Sequence, residues 1–250
     1  MVEILQHAIP YDAMASPALP GVQPLEQDGW ILVDEAYSAQ MQRRAALLAE
    51  QRDDVVYLDE AARPAAVELL EAVLALLAGR FSDRFVVNGD RVRRPDGAEI
   101  ALDQTDPLGT LGHLVQEDFC ILQNRGAEHV MTAAVLCFPA GWRLSEKAGR
   151  PLGDIHTPVD SYDSSMARRV QRLFDGVQPG RPMWRFNALW YKDPELHQPR
   201  LPPVPGPGDR NSATCSYLRS ERQCILRLPR TGAAVFSIHS FVVRSRLNPG

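Results

Sequence analysis

The sequence predicts an α+β fold: a five-stranded antiparallel sheet and a helical segment that together enclose a pocket, with a helical extension at the N-terminus. Three observations predict it. Two amphipathic helical patterns occupy the first eighty residues. A hairpin-like pair of apolar runs follows, and the period then changes to helical. Three further alternating, strand-like runs complete the chain.

Each element has a local reason. Pro10, Pro17, Pro20 and Pro24 make the first 30 residues an extended arm. The stretch 36–50 places Tyr37, Met41, Ala45 and Leu48 on one helical face. The stretch 64–79 does the same with Val67, Leu70, Leu74 and Leu77, and Pro64 suits its first turn. Residues 88–109 read as turns around Pro95-Asp96-Gly97. The runs 116–123 and 129–138, separated by a segment containing Arg125-Gly126, read as a hairpin. The second run is apolar at both alternate sets of positions, so it is expected to be a central strand buried on both faces.

A short helix is expected over 142–149, then a loop over 150–158 that carries His156. A helix over 161–174 follows, with Tyr162, Met166, Val170, Leu173 and Phe174 inward and Arg168, Arg169 and Arg172 mostly on its wet face. Strands are expected over 183–191, 216–228 and 233–244, the last two joined by a hairpin at 229–232. A proline-rich loop, 199–207, precedes the fourth strand. Strand, strand, helices and three strands is the order of a PAS-like domain. Residues 115–250 would form that core, and 1–114 would be the arm and helical extension of the same unit.

Composition narrows the function classes. Of the 250 residues, 45% are hydrophobic and 23% charged, as in an ordinary soluble globular protein, and the net charge of −4 gives no general attraction to nucleic acid or anionic membrane. There is no spanning helix and no signal-peptide pattern at 1–20, so a cytoplasmic protein is expected. The four cysteines, Cys120, Cys137, Cys215 and Cys224, include no C-x-x-C pair, which disfavours zinc-finger and iron–sulfur sites.

Several blocks resemble the haem-dependent oxidative N-demethylase alpha-subunit family. They are Gln116-Glu117-Asp118, 138–149 (FPAGWRLSEKAG), 155–159 (IHTPV), 181–187 (RPMWRFN), 220–223 (SERQ) and 228–232 (LPRTG), with Gly29-Trp30 and 34–37 (DEAY) nearer the start. The resemblance implies a PAS-like fold binding haem b iron. It also implies oxidation of a small methylated amine with dioxygen, fed by a separate flavin and iron–sulfur reductase. No G-x-G-x-x-G nucleotide fingerprint occurs in this chain, so electrons would come from another one.

On that resemblance His156 is the expected iron ligand, against the plainer alternative of a loop histidine bonded to backbone. His239 shares a strand face with Ala233, Val235, Ser237 and Phe241; it is a candidate distal or substrate-contacting group, or a core histidine. The family pattern implies a basic residue there, often arginine, from which His239 departs. Arg222 shares its face with Leu218, Ser220, Cys224 and Leu226 and should point inward. A buried guanidinium needs an anion, which could be a haem propionate, a substrate carboxylate or Asp118. The other face of that strand, with Tyr217, Arg219, Glu221, Gln223 and Arg227, reads as solvated. Trp142, Arg143 and Lys147 begin the helical segment, with Arg143 and Lys147 four apart as cations for propionates. Arg185 and Asn187 share one strand face; Asn187 is a candidate to orient a bound oxygen or amine. The competing function class is a PAS-like sensor that binds haem or a small ligand without turnover.

Overall fold

The computed structural model describes residues 3–15, 21–126, 128–156, 164–199 and 215–244. Ten strands and seven α-helices occur among them. The first part of the chain runs β1 (Gln23–Pro24), α1 (Tyr37–Glu50), α2 (Arg52–Val55), β2 (Val56–Leu58) and α3 (Arg63–Ala78). A three-stranded meander, β3 (Val86–Asn88), β4 (Arg91–Arg93) and β5 (Glu99–Ala101), and helix α4 (Pro107–Leu114) come next. The remainder is β6 (Asp118–Arg125), β7 (Glu128–Val135), α5 (Leu144–Lys147), α6 (Leu152–His156), α7 (Ser164–Gly176), β8 (Met183–Tyr191), β9 (Tyr217–Arg227) and β10 (Ala234–Arg244).

The main sheet is antiparallel throughout, with order β1-β8-β9-β10-β6-β7-β2. It therefore has seven strands, not the expected five. The five expected strands form its middle, and two short N-terminal strands extend the edges. Pro24 lies in one of these edge strands, where its missing N–H leaves no gap in an interior ladder. The β6–β7 and β9–β10 hairpins turn through Gly126 and Gly232, both at positive φ, which a side chain would resist.

Two other expectations change. The stretch 88–109 holds ordered structure as well as turns. In it Asp106 caps α4 by accepting the Gly109 N–H at 3.1 Å, with Pro107 in the first turn. β7 is paired on both sides, by β6 and β2, so it is an interior strand as expected. It is mostly buried, because α4 packs on one side of it and α6 and α7 on the other. His156 is the last residue of α6, where a loop was expected, and only its backbone is described. Within the expected loop at 199–207, residues 200–207 lie outside the described residues, as do residues 157–163.

Both faces of the sheet are covered. On one, Met41, Leu47 and Leu48 of α1, Leu69, Val73 and Leu77 of α3, and Leu108, Leu111 and Leu114 of α4 pack against Phe119, Ile121, Ala133, Val135 and Val235. On the other, Leu144, Leu152, Ile155 and Phe174 of α5–α7 pack against Cys120, Leu122, Ile225 and Ile238. Burying one such side chain contributes about 1.5–3 kcal/mol, so hydrophobic area is a large part of what holds each layer.

Gly112 marks a close contact between α4, α1 and β7 in the first layer. A Cβ there would lie 2.9 Å from Leu48 Cδ1 and 3.0 Å from Val135 Cγ2. Gly112→Ala should gain about 1 kcal/mol of helix propensity and lose about 1–3 kcal/mol to overpacking. The expected result is a net loss of about 1 kcal/mol in a urea titration; an unchanged or raised midpoint would show that α4 shifts freely.

Candidate functional site

Strand register decides which side chains share a face. Asn187, Glu221 and Ser240 are partners in one row across β8, β9 and β10, and Arg185, Gln223 and Ile238 in another. Both rows lie on the face covered by α5–α7. The row between them, Phe186, Arg222 and His239, points to the opposite face. Asn187, Arg222 and His239 thus do not converge on one pocket: the sheet separates the first from the other two.

The face under α5–α7 is rich in polar groups. Arg219 is 2% exposed, Glu221 6% and Gln223 9%. The expectation that this side of β9 is solvated fails, because the helical segment and the 138–140 and 194–198 loops cover it. Arg219 spans those loops, donating to Phe138 O at 2.6 Å and Leu196 O at 2.8 Å. Asn187 bonds Glu221 twice. Its Nδ2 donates to Glu221 Oε2 at 3.1 Å, and its Oδ1 accepts the Glu221 N–H at 3.2 Å. Asn187 therefore positions Glu221 and retains one Nδ2 hydrogen beyond these two bonds. Gln223 Nε2 adds a second donor to Oε2 at 3.2 Å.

Cations gather on the same face. Arg185 is partly buried, and its Nε has no hydrogen-bond partner among the described residues. Burial lowers its pKa, opposed by the charge of Glu221. Lys147 Nζ sits 3.8 Å from the centre of the Trp142 ring, which packs on this core. The Lys147 charge also reaches Cys120, whose thiol is nevertheless pushed up to about 12, chiefly by burial and further by Asp118. Arg143 precedes α5 and donates its backbone N–H to Glu146 Oε2 at 3.0 Å. Trp142, Lys147 and Arg185 thus lie on the covered side.

A second histidine emerges here that sequence reasoning passed over. His129, 2% exposed, points toward α7, with Nδ1 3.0 Å from Gln171 Nε2. Burial keeps its pKa below the ordinary value, with Arg227 adding to this and Asp175 and Gln171 opposing. The signal was weak because His129 begins a strand next to a turn, where an exposed residue is expected.

The opposite face carries a buried ion cluster. His239, 1% exposed, bonds Glu117 Oε1 through Nδ1 at 2.9 Å and Asp34 Oδ2 through Nε2 at 3.1 Å. Burial alone would lower its pKa; the bonds to Asp34 and Glu117 and their charges overcome this and raise it to about 9. Burial would raise Asp34, but His239, Gln116 and Gln6 together take it down to about 2. Arg222 points inward as expected, but Asp118 is not its partner. It stacks 5.3 Å from the Trp184 ring centre and donates to Gly29 O at 2.8 Å, leaving Nη1 unpaired. Asp118 instead holds Arg44 of α1, at 2.6 Å.

A profile of the family described as haem-dependent oxidative N-demethylase, alpha subunit-like, matches residues 21–246. The chain belongs to this family. The name of the haem-dependent oxidative N-demethylase, alpha subunit-like family carries haem dependence and implies a multi-subunit setting. The matched span includes both covered faces but not residues 3–15, which supply Gln6 and Tyr11 to the second face. No group of three or more His, Cys, Asp or Glu side chains suited to a metal ion occurs among the described residues. Haem iron takes four ligands from its own macrocycle, so the demethylase family's cofactor needs only one or two side chains. No described helix is long and apolar enough to cross a membrane.

Proposed function

We propose that this chain is a haem-binding oxidoreductase that demethylates a small methylated amine, using dioxygen and electrons from a separate flavin and iron–sulfur reductase. The observation that carries the reading is Arg185: a partly buried guanidinium with an unmet donor, on the face that α5–α7 cover and that Lys147 also approaches. A propionate answers that donor, so the residues present fit the group. Arg185, Arg143 and Lys147 would hold the propionates of haem b, and His156, at the end of α6, would be the axial ligand. When bound, haem supplies oxygen activation and accepts electrons singly. The chain's own part is to anchor it and keep water out. Leu144, Leu152, Ile155, Phe174 and Ile238 form the apolar wall that does so.

The PAS-like reading rests on the five middle strands, their chain order and the helices crossing one face between the second and third. On this reading the N-terminal helices belong to the same unit, because their core is continuous with the sheet. Arg222 and His239 lie behind the sheet and would hold the scaffold rather than touch haem. Four cysteines, all buried, suit a reducing cytoplasmic compartment.

The test is an absorption spectrum of protein expressed with ample haem. A Soret band is expected that His156→Ala abolishes or shifts and His239→Ala leaves in place; His129→Ala tests a described imidazole on that side. Colourless protein that takes up no added haem would sink the reading. Haem binding without amine-dependent oxygen consumption would favour a sensor.

A further inference from the structure

We propose that Arg168, Arg169 and Arg172 of α7 form the docking surface for an acidic electron-carrier protein. All three side chains are exposed, and none forms an ion pair among the described residues. Arg172 lies four residues from Arg168 and three from Arg169, so the charges are neighbours on one helix face and repel. Asp175, the one acidic residue of α7, is drawn the other way. It accepts from Gln171 Nε2 at 2.9 Å and lies 3.6 Å from His129 Nδ1, toward the sheet. Exposed arginines elsewhere meet carboxylates, as Arg52 does Asp106, Arg63 Glu60 and Arg91 Glu99. A local repulsion left standing points to an anion supplied from outside.

The patch is held firmly and close to the covered face. Val170, Leu173 and Phe174 turn the opposite side of α7 onto the apolar wall. Arg227 of β9 ties down the C-terminal end of the helix, donating to the carbonyls of Phe174 and Val177. One helix diameter, about 10 Å, therefore separates the arginines from that wall. The character of the surface decides the kind of partner. The large hydrophobic side chains exposed among the described residues are Met14 and Val86, and neither is on α7. An obligate subunit interface needs apolar area, whereas a transient carrier needs charge to steer a brief encounter. The chain as a whole carries −4, so it has no general attraction for an acidic partner, and binding of one reports the patch. That the carrier delivers electrons rests on the proposed function; the docking surface itself rests on α7.

The probe is a plant-type [2Fe–2S] ferredoxin, an acidic electron carrier, fluorescently labelled and titrated with the purified full chain. Wild-type protein should bind it at low ionic strength and roughly tenfold more weakly at physiological salt. Arg172→Glu should weaken binding about threefold or more, and reversal of all three arginines by more than about tenfold. Arg80→Glu, an equal charge change at an exposed position just after α3 in the other layer, should weaken it less than about twofold. If the triple variant does not fold, Arg172→Glu against Arg80→Glu still decides. No binding by wild-type protein, binding indifferent to salt, or equal losses in Arg172→Glu and Arg80→Glu would overturn the proposal. Binding to phosphatidylserine vesicles through these arginines, without binding to ferredoxin, would overturn it in favour of a membrane. The Soret band, read on the same samples, reports the haem assignment separately. Ferredoxin bound by protein without that band would leave the docking surface standing and remove the haem; the band without ferredoxin binding would do the reverse.

Discussion

Asp118→Ala is expected to lower unfolding stability by about 3–5 kcal/mol, the cost of leaving a buried charge without its partner. Arg44 is fully buried, with Nη1 2.6 Å from Asp118 Oδ1. The same carboxylate accepts the N–H groups of Cys137 at 2.7 Å and Phe138 at 2.8 Å. It therefore ties α1 to the start of β6 and to the chain leaving β7. Alanine removes all three bonds at once, and Arg44 keeps only the carbonyls of Gly112 and Gln116. Asp118→Asn should cost less, because an amide oxygen still accepts one of the N–H groups. Coupled replacement of Arg44 by Met and Asp118 by Leu should cost less than the two single changes added together, because no lone charge remains. Urea titration of the four proteins measures this. A loss below about 1 kcal/mol in Asp118→Ala would show that Arg44 finds another anion.

The second large effect is at His239. Its folded pKa of about 9 lies above the ordinary 6.5, so protonation favours the folded state. That contribution is complete below pH 6.5 and is lost as the pH rises through 9, and it is on the order of 3 kcal/mol. Asp34 shows the acid side of the same interaction. Its folded pKa of about 2 lies below 3.8, so its contribution holds above 3.8 and fades as the pH falls toward 2. The two describe one pair at two ends of the pH scale and do not add. His239→Gln should destabilise by about 3 kcal/mol at pH 7 and flatten the alkaline loss. His239→Arg, a permanent cation, should recover part of the stability at pH 9. Denaturation midpoints at pH 7 and pH 9 decide. A wild-type midpoint constant across that range would mean that His239 is neutral in the fold.

Much of the architecture could be read locally. Alternation located β8 at the residues found, and placed β9 and β10 within a residue of theirs. Heptad-like spacing located α1 and α3 within a residue. These signals survive because strand and helix periods are properties of neighbouring residues. α4 was missed because two glycines in eight residues dilute a helical pattern that the Asp106-Pro107 start announces. β1 and β2 were missed because two or three residues at a sheet edge have no period to detect.

The site was legible in part. The inward direction of Arg222 followed from its apolar neighbours on one strand face. The row Arg219, Glu221, Gln223 looks the same in sequence whether water or a helical layer covers it. Only tertiary packing turned it into a buried polar row. Partner choice was equally hidden. Asp118 and Arg44 are 74 residues apart, and His239 meets Glu117 and Asp34 across 122 and 205.

By itself the sequence determined the family, the order of the five middle strands, the helices α1 and α3, and which residues alternate together, because these depend on local spacing and on blocks of residue type. Which face of the sheet each row meets, what covers it, and which charge answers which were decided by tertiary structure alone. Burial and ion pairing depend on chain segments far apart in sequence, and a charged side chain acquires its role only when its surroundings lose their water.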